Sequence, residues 1–316
     1  MRIANLAAVT AAALVVAGSV HARTLSIGAT QPGAVGQIAA TITKLVSTKT
    51  PYQMRSQVMG GTQQYIPLVN AGELDFGLSN MPQYWMAKTG TGLSKEKYEN
   101  LALVANMMKF TVAPLVANEG PIRKIDDLKG KRAPYGYKAA PLFAYISEGF
   151  LANGNLTYKD VRRVPVAGLA QSWDALKQGK IDYAVAAVGT GAVSEMNVTI
   201  KGGVRFVSMD TSPEAIARLT RVYPKSYLDK VEPGPGLVGV RAPVYTLHYD
   251  FLLWTSTKLP DEIAYTVAKV MYENEKELKE SSPLWRSHSS ATMAKDQGTP
   301  YHPGALKFYR EAGLVK

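Results

Sequence analysis

From residue 24 onward, short apolar stretches alternate with longer amphipathic ones. Thr24 to Ala29 (TLSIGA) predicts a strand, and Thr30-Gln31-Pro32-Gly33 a turn behind it. Val35, Ile38, Ala39, Ile42, Leu45 and Val46 recur at helical spacing over Val35 to Val46. Tyr52 to Val58 alternates as a strand does. Gly60-Gly61-Thr62 breaks it, and a helix is predicted over Gln63 to Asn70. Leu74 to Leu78 is a short buried strand ending at Ser79-Asn80. Three strand–turn–helix units in close succession imply a mostly parallel sheet with helices on its faces.

The same alternation resumes after Leu101 to Asn118. A polar helical turn at Ile125 to Arg132 leads into a strand at Arg132 to Tyr135, the loop Gly136 to Pro141 and a helix over Leu142 to Asn153. Strands are predicted at Val161 to Val166, Ile181 to Val188 and Val204 to Met209, with a short helix at Gln171 to Gln178. Helices follow at Pro213 to Val222, Asp261 to Lys279 and Gly304 to Ala312. Val244 to Thr255 is long, extended and aromatic. With Phe110 to Ala117 it is expected to connect two α/β lobes. The expected division is residues 23–112 plus 250–316 for lobe I and 113–249 for lobe II.

The first 22 residues read differently. Arg2 is followed by an uncharged apolar run, Leu6 to Ala17, and Val20-His21-Ala22 ends on a small residue. This is the pattern of a secretory signal peptide cut after Ala22. It is too short for a spanning helix, which needs about 20 apolar residues. A periplasmic protein without stable membrane insertion is therefore expected, and a monomer is the default. The absence of cysteine excludes a disulfide framework and a Cys-based zinc site. The net charge of +11 suits an anionic solute or an acidic surface. Its basic residues are scattered in short groups, Arg123-Lys124, Lys129 to Arg132 and Arg162-Arg163, so nucleic-acid binding is not expected.

Enzyme signatures are missing. Gly28 to Gly33 has the spacing of a phosphate loop but no Gly-Lys-Ser/Thr, and no G-x-G-x-x-G, H-E-x-x-H or G-x-S-x-G occurs. His248, His288 and His302 are far apart and read as structural. No enzyme activity, cofactor or metal is expected. What does recur is a strand, a small polar or glycine loop, and a helix. In parallel α/β sheets such loops gather at the carboxyl ends of the strands, where helix N-termini suit carboxylates. Thr30 to Ala34, Gly60 to Gln63, Tyr137 to Ala140 and Gly189 to Gly191 qualify, two from each lobe.

The chain resembles TAXI-type solute-binding proteins, the receptors of TRAP (tripartite ATP-independent periplasmic) transporters. Four segments carry the resemblance: Gly72 to Gly77, Ile125 to Arg132, Leu176 to Asp182, and Pro300 to Ala305 with Lys307 to Gly313 behind it. The resemblance implies a two-lobed type II periplasmic binding protein fold, two mixed, mostly parallel sheets flanked by helices and joined by a two-strand hinge. It also implies closure around one solute and delivery to TRAP membrane permease subunits. The family is associated with amino-acid and dicarboxylate ligands such as glutamate and 2-oxoglutarate. The first loop here lacks the family's usual paired tyrosines, and the lobe II loop has Gly136-Tyr137-Lys138-Ala139-Ala140-Pro141 where a Gly/Ser-rich loop is usual. A small organic anion with an apolar or aromatic part is therefore expected. Thr30, Gln31, Thr62, Gln63, Asn80 and Thr190 would hydrogen-bond it. Gly33, Ala34, Gly61, Ala139, Ala140 and Gly189 would allow close backbone approach, Tyr137 would form an aromatic wall, and Lys138 would offset charge. The same fold could instead serve an ABC importer or a membrane kinase sensor. An exported enzyme and a structural protein are the other classes.

Overall fold

The computed structural model describes residues 23–30 and 34–316. The expected signal peptide, and Gln31, Pro32 and Gly33 of the first loop, lie outside the described residues. The opening units form where the pattern puts them: β1 (Thr24–Thr30), α1 (Ala34–Lys49), β2 (Gln53–Met59), α2 (Thr62–Ala71) and β3 (Phe76–Asn80). Then comes α3 (Met81–Thr89), which the apolar pattern does not predict, and the long β4 (Leu101–Ala117). The middle of the chain gives β5 (Arg132–Gly136), α4 (Leu142–Asn153), β6 (Arg162–Val166), α5 (Leu169–Lys177), β7 (Ala184–Ala187), α6 (Gly191–Thr199), β8 (Val204–Phe206), α7 (Pro213–Val222) and β9 (Tyr227–Val231). The chain returns through β10 (Val244–Ser256) and ends in α8 (Asp261–Glu273), α9 (Glu275–Ser281) and α10 (Pro303–Glu311).

The two lobes follow from where the cores sit. One apolar cluster draws on residues between Leu25 and Met108 and again between Phe251 and Tyr309. Two others, one on each face of the middle strands, draw on residues between Val112 and Tyr249, with Met86 as the one contributor from before β4. β4 and β10 pair antiparallel from Leu247↔Val112 to Ser256↔Leu101 and belong to both lobes. Because they run through, hydrogen bonding joins eight strands in one sheet, with β5–β6 apart, where two sheets were expected. Parallel pairing is also narrower than expected. It joins β1 to β2, β1 to β3 and β5 to β6, while every pair involving β4 or β10 is antiparallel.

One glycine lets α2 lie close on the first sheet, and a second makes room for a tryptophan of β10. Tyr65 of α2 sits over Gly28, where a Cβ would come within 2.6 Å of the ring. Its hydroxyl donates to Leu78 O at 2.5 Å. Trp254 covers Gly77 and leaves no room for a Cβ there. It lies 6.0 Å from both Tyr65 and Tyr84, and its Nε1 donates to Ser79 Oγ at 3.0 Å. The Pro300 to Gly304 segment is a packing device of the same kind. His302 Nδ1 accepts from Gly304 N at 3.2 Å to cap α10, and a Cβ on Gly304 would overlap the Asp261 carbonyl at the start of α8.

Candidate functional site

The strand ends decide where a ligand could sit. β3 runs toward the hinge and stops with Asn80 opposite Phe251, which is itself opposite Met108. β7 runs toward the hinge from the other lobe and stops with Ala187 opposite Val112, while Val188 N donates to Thr111 O at 3.0 Å. Met108 and Val112 are four residues apart on β4, about 13 Å along an extended strand. The carboxyl ends of β3 and β7 therefore approach each other across that stretch. α3 and α6 begin there. α6 has no side-chain cap, so its first-turn amides and partial positive charge favour an anion, whereas Pro82 and the Asn80–Gln83 bond occupy the first turn of α3 and leave it chiefly its dipole.

In the first lobe, Thr30 ends β1 in register with Met59 at the end of β2, and Ala34 begins α1. Gly61 is the extended N-cap of α2 and gives it no side-chain cap, so the first turn keeps its free amides. Thr62 is buried with its Oγ1 3.2 Å from the Tyr65 hydroxyl oxygen, to which it can donate, so the ring packed over Gly28 also fixes this residue. Gln63 Nε2 is buried without a hydrogen-bond partner. Asn80 caps α3 by accepting from Gln83 N at 2.8 Å, which commits one of its side-chain groups.

In the second lobe, Arg132 ties the start of β5 to the start of β7 through Asp182, whose carboxylate its Nη2 meets at 2.5 Å. Burial opposes the charge on Asp182, but the Arg132 bonds overcome it and hold that carboxyl below its ordinary range. At the far end, Gly136 (φ 94) and Tyr137 (φ 45) make a left-handed turn. Tyr137 is fully buried and its hydroxyl has no partner. Its ring packs beside Phe143, inside the lobe and away from solvent. Lys138 is exposed and makes no ion pair among the described residues. Ala139 N donates to Ala167 O at 2.8 Å and Ala140 N to Tyr137 O at 2.8 Å, so these two amides are used within the lobe. Gly189 turns left-handed (φ 79), and Thr190 is the extended N-cap of α6 with its hydroxyl on Ala187 O at 2.9 Å.

Among the described residues, each lobe thus carries its predicted residues on the loops at one edge, with the Tyr137 ring turned into the lobe. The sequence pattern missed Ala167 and Gly168. It placed the start of that helix at Gln171, whereas α5 begins at Leu169 with Gly168 as an extended N-cap. The glycine before an amphipathic run was the available signal. The hinge aromatics were also missed as a group: Phe110 lies parallel to Tyr249 at 6.0 Å and tilted to Phe251 at 5.0 Å. Phe110 packs against the cores of both lobes. Among the described residues no group of three or more His, Asp or Glu is placed to hold a metal ion, and no helix is long and apolar enough to cross a membrane.

Comparison with known proteins agrees with this architecture. The family model of the NMT1-like family matches residues 28–313. The periplasmic aliphatic sulphonate-binding protein SsuA of Escherichia coli superposes over 91% of this chain and 78% of its own, with TM-score 0.51 and 16% identity. PhnD1 of Prochlorococcus marinus (MIT 9301), solved in complex with methylphosphonate, does so over 93% and 99%, with TM-score 0.57 and 10% identity. A structure described as a periplasmic transporter matches over 93% and 94%, with TM-score 0.54 and 14% identity. At these identities the likeness is one of fold, the two-lobed fold of periplasmic binding proteins.

Proposed function

The chain belongs to the NMT1-like family, and from that premise we propose that it is an extracytoplasmic solute receptor for a small organic anion. The observation that carries this reading is the approach of β3 and β7, which sets the N-termini of α3 and α6 across one gap at the hinge. Such a gap can hold an oxyanion head group between lobes that close on it. Thr30, Gln31, Gly33, Ala34, Gly61, Thr62, Gln63 and Asn80 would contact it from lobe I, and Lys138, Gly189 and Thr190 from lobe II. Tyr137, Ala139 and Ala140 would shape the second edge from behind, since the ring is buried and the amides are bonded within the lobe.

The head group we favour is a sulfonate or phosphonate, with carboxylates as the competing class. Two of the similar folds carry those chemistries in their descriptions. An ABC importer is the partner in this reading, because the family match is NMT1-like and neither of those two folds is described as a TRAP receptor. Delivery to a TRAP permease is the second reading, supported by the sequence segments at Gly72 to Gly77 and Pro300 to Ala305. The fold's lobe boundaries would fall at residues 112/113 and 249/250, within the two hinge strands.

A thermal-shift panel of methylphosphonate, short alkanesulfonates, monocarboxylates, dicarboxylates and amino acids tests the reading. A ligand at 100 times its Kd adds about 2.7 kcal/mol, which moves the midpoint by a few degrees in a chain of this size. A rise with at least one anion class is expected. A flat panel would sink the anion receptor.

A further inference from the structure

One cavity beside this edge shares only Gln63 with the solute contacts proposed above. It has a volume of about 290 Å³ and lies between the first two turns of α2 and the loop that joins α3 to β4. Leu93, Tyr98 and the nearly covered Ile66 give it an apolar side, and Gln63, Ser94, Lys95 and Glu96 a polar one. The loop is fastened at its base, with Tyr98 N on Ala87 O at 3.0 Å and Asn100 N on Asn70 Oδ1 at 3.0 Å. Tyr98 packs on the core of the first lobe, whereas Leu93 packs against the cluster that contains Met86 of α3. The cavity therefore lies on the first lobe, beside the turn that begins α2. Gln63, with its buried and unpartnered Nε2, lines this region from the uncapped first turn of α2.

We propose that this cavity is the tail pocket of the solute site and takes the apolar end of the captured anion. The idea rests on the receptor reading. At roughly 30 Å³ per water-sized group, the space holds about ten non-hydrogen atoms. Lys95 and Glu96 stand together at the rim and offset each other, so the pocket offers no net charge for a second anion. The head group stays at the helix N-termini, Gln63 spans head and tail, and Leu93 and Ile66 set the chain length accepted.

Titration calorimetry with linear alkanesulfonates and alkanoates from one to eight carbons tests this, alongside 1-alkanols of matched length. Each added methylene should tighten binding about fourfold until the pocket is full. Leu93→Trp, which fills the cavity, should flatten that dependence. Leu93→Ala, which enlarges it, should extend the gain to longer chains. Circular dichroism confirms that both variants are folded. Anion binding without a length dependence, or a length dependence that Leu93→Trp leaves intact, overturns the pocket and leaves the receptor reading standing. Alkanols that bind by length in the unmodified protein and lose this in Leu93→Trp, without anion binding, keep the pocket and remove the anion reading. Silence from all three series overturns both.

Discussion

His248 is nearly inaccessible, and both its ring nitrogens face hydroxyls. Nδ1 is 3.3 Å from Thr111 Oγ1, Nε2 is 2.8 Å from Thr246 Oγ1, and Tyr227 stacks on the ring at 5.7 Å. Burial lowers its pKa to about 4, against the pull of Asp229 and Asp250, with Lys109 adding to the fall. The unfolded ring titrates near 6.5, so the folded chain resists the proton that the unfolded chain accepts. The resulting stability is present in full above about pH 6.5 and is lost as pH falls from there through about 4. It amounts to about 3 kcal/mol at neutral pH, since each tenfold change in proton affinity is worth about 1.4 kcal/mol. His288 and His302 are lowered in the same way by burial, so they add to the acid sensitivity. Urea unfolding at pH 7 and pH 4.5 should show a smaller acid loss in His248→Gln than in the unmodified protein. An equal loss in both would remove His248 from the account.

At the scale of elements, the packing of α2 on β1 and β3 decides where the binding edge lies. Gly77→Ala puts a methyl group against Trp254, which Tyr65 and Tyr84 hold in place. Overpacking of this kind costs about 1–3 kcal/mol. Denaturant titration should show that loss, and Trp254→Phe combined with Gly77→Ala should cost less than the two changes summed. Full additivity would mean that the ring and the glycine are not in contact. α2 was legible from its 3.6 period, and β3 and β10, buried at all or nearly all positions, as continuous apolar runs and not as alternation. α3 was not, since Met81, Pro82, Tyr84, Met86 and Ala87 are buried on most of its circumference and leave no polar stripe. Its start could have been read from Asn80 followed by Pro82, an N-cap with proline in the first turn. α6 opens on Gly191 and carries Val193, Val198 and Thr199, which favour strands. β9 is short and nowhere fully buried, so it shows no alternation. The 261–279 helix divides at Asn274, whose φ of −118° leaves the helical range although its neighbours are good helix formers. The site was legible as loops but not as a cleft. Which loops face each other depends on the register of β3 and β7 against the ribbon, a long-range fact that local spacing does not hold.

The molecule as a whole is clasped along one segment of the second lobe. Lys225 lies 4.2 Å over the ring of Trp85, which belongs to α3 of the first lobe. Lys295, from the C-terminal part of the chain, lies 5.3 Å from the Tyr227 ring and 2.5 Å from Asp250 on β10. Lys109 of the ribbon reaches Asp229 at 3.5 Å. Met86, one residue beyond Trp85, is buried in the second lobe's core. These contacts reward the approach of the lobes, and a solute held between two sets of helix N-termini rewards it too. The two contributions are linked: whatever the clasp no longer supplies, the solute must supply from its own binding energy. A cation–π contact of this exposure contributes about 0.5–1 kcal/mol. Trp85→Ala should therefore raise the Kd of the solute about two- to fivefold without touching it. In the same variant, small-angle scattering should show a larger radius of gyration in the ligand-free protein and a normal one with saturating solute. An unchanged Kd together with an unchanged free-state radius would show that α3 and the Lys225 segment move as one body. Closure would then have to turn about the ribbon residues between Met108 and Val112 alone.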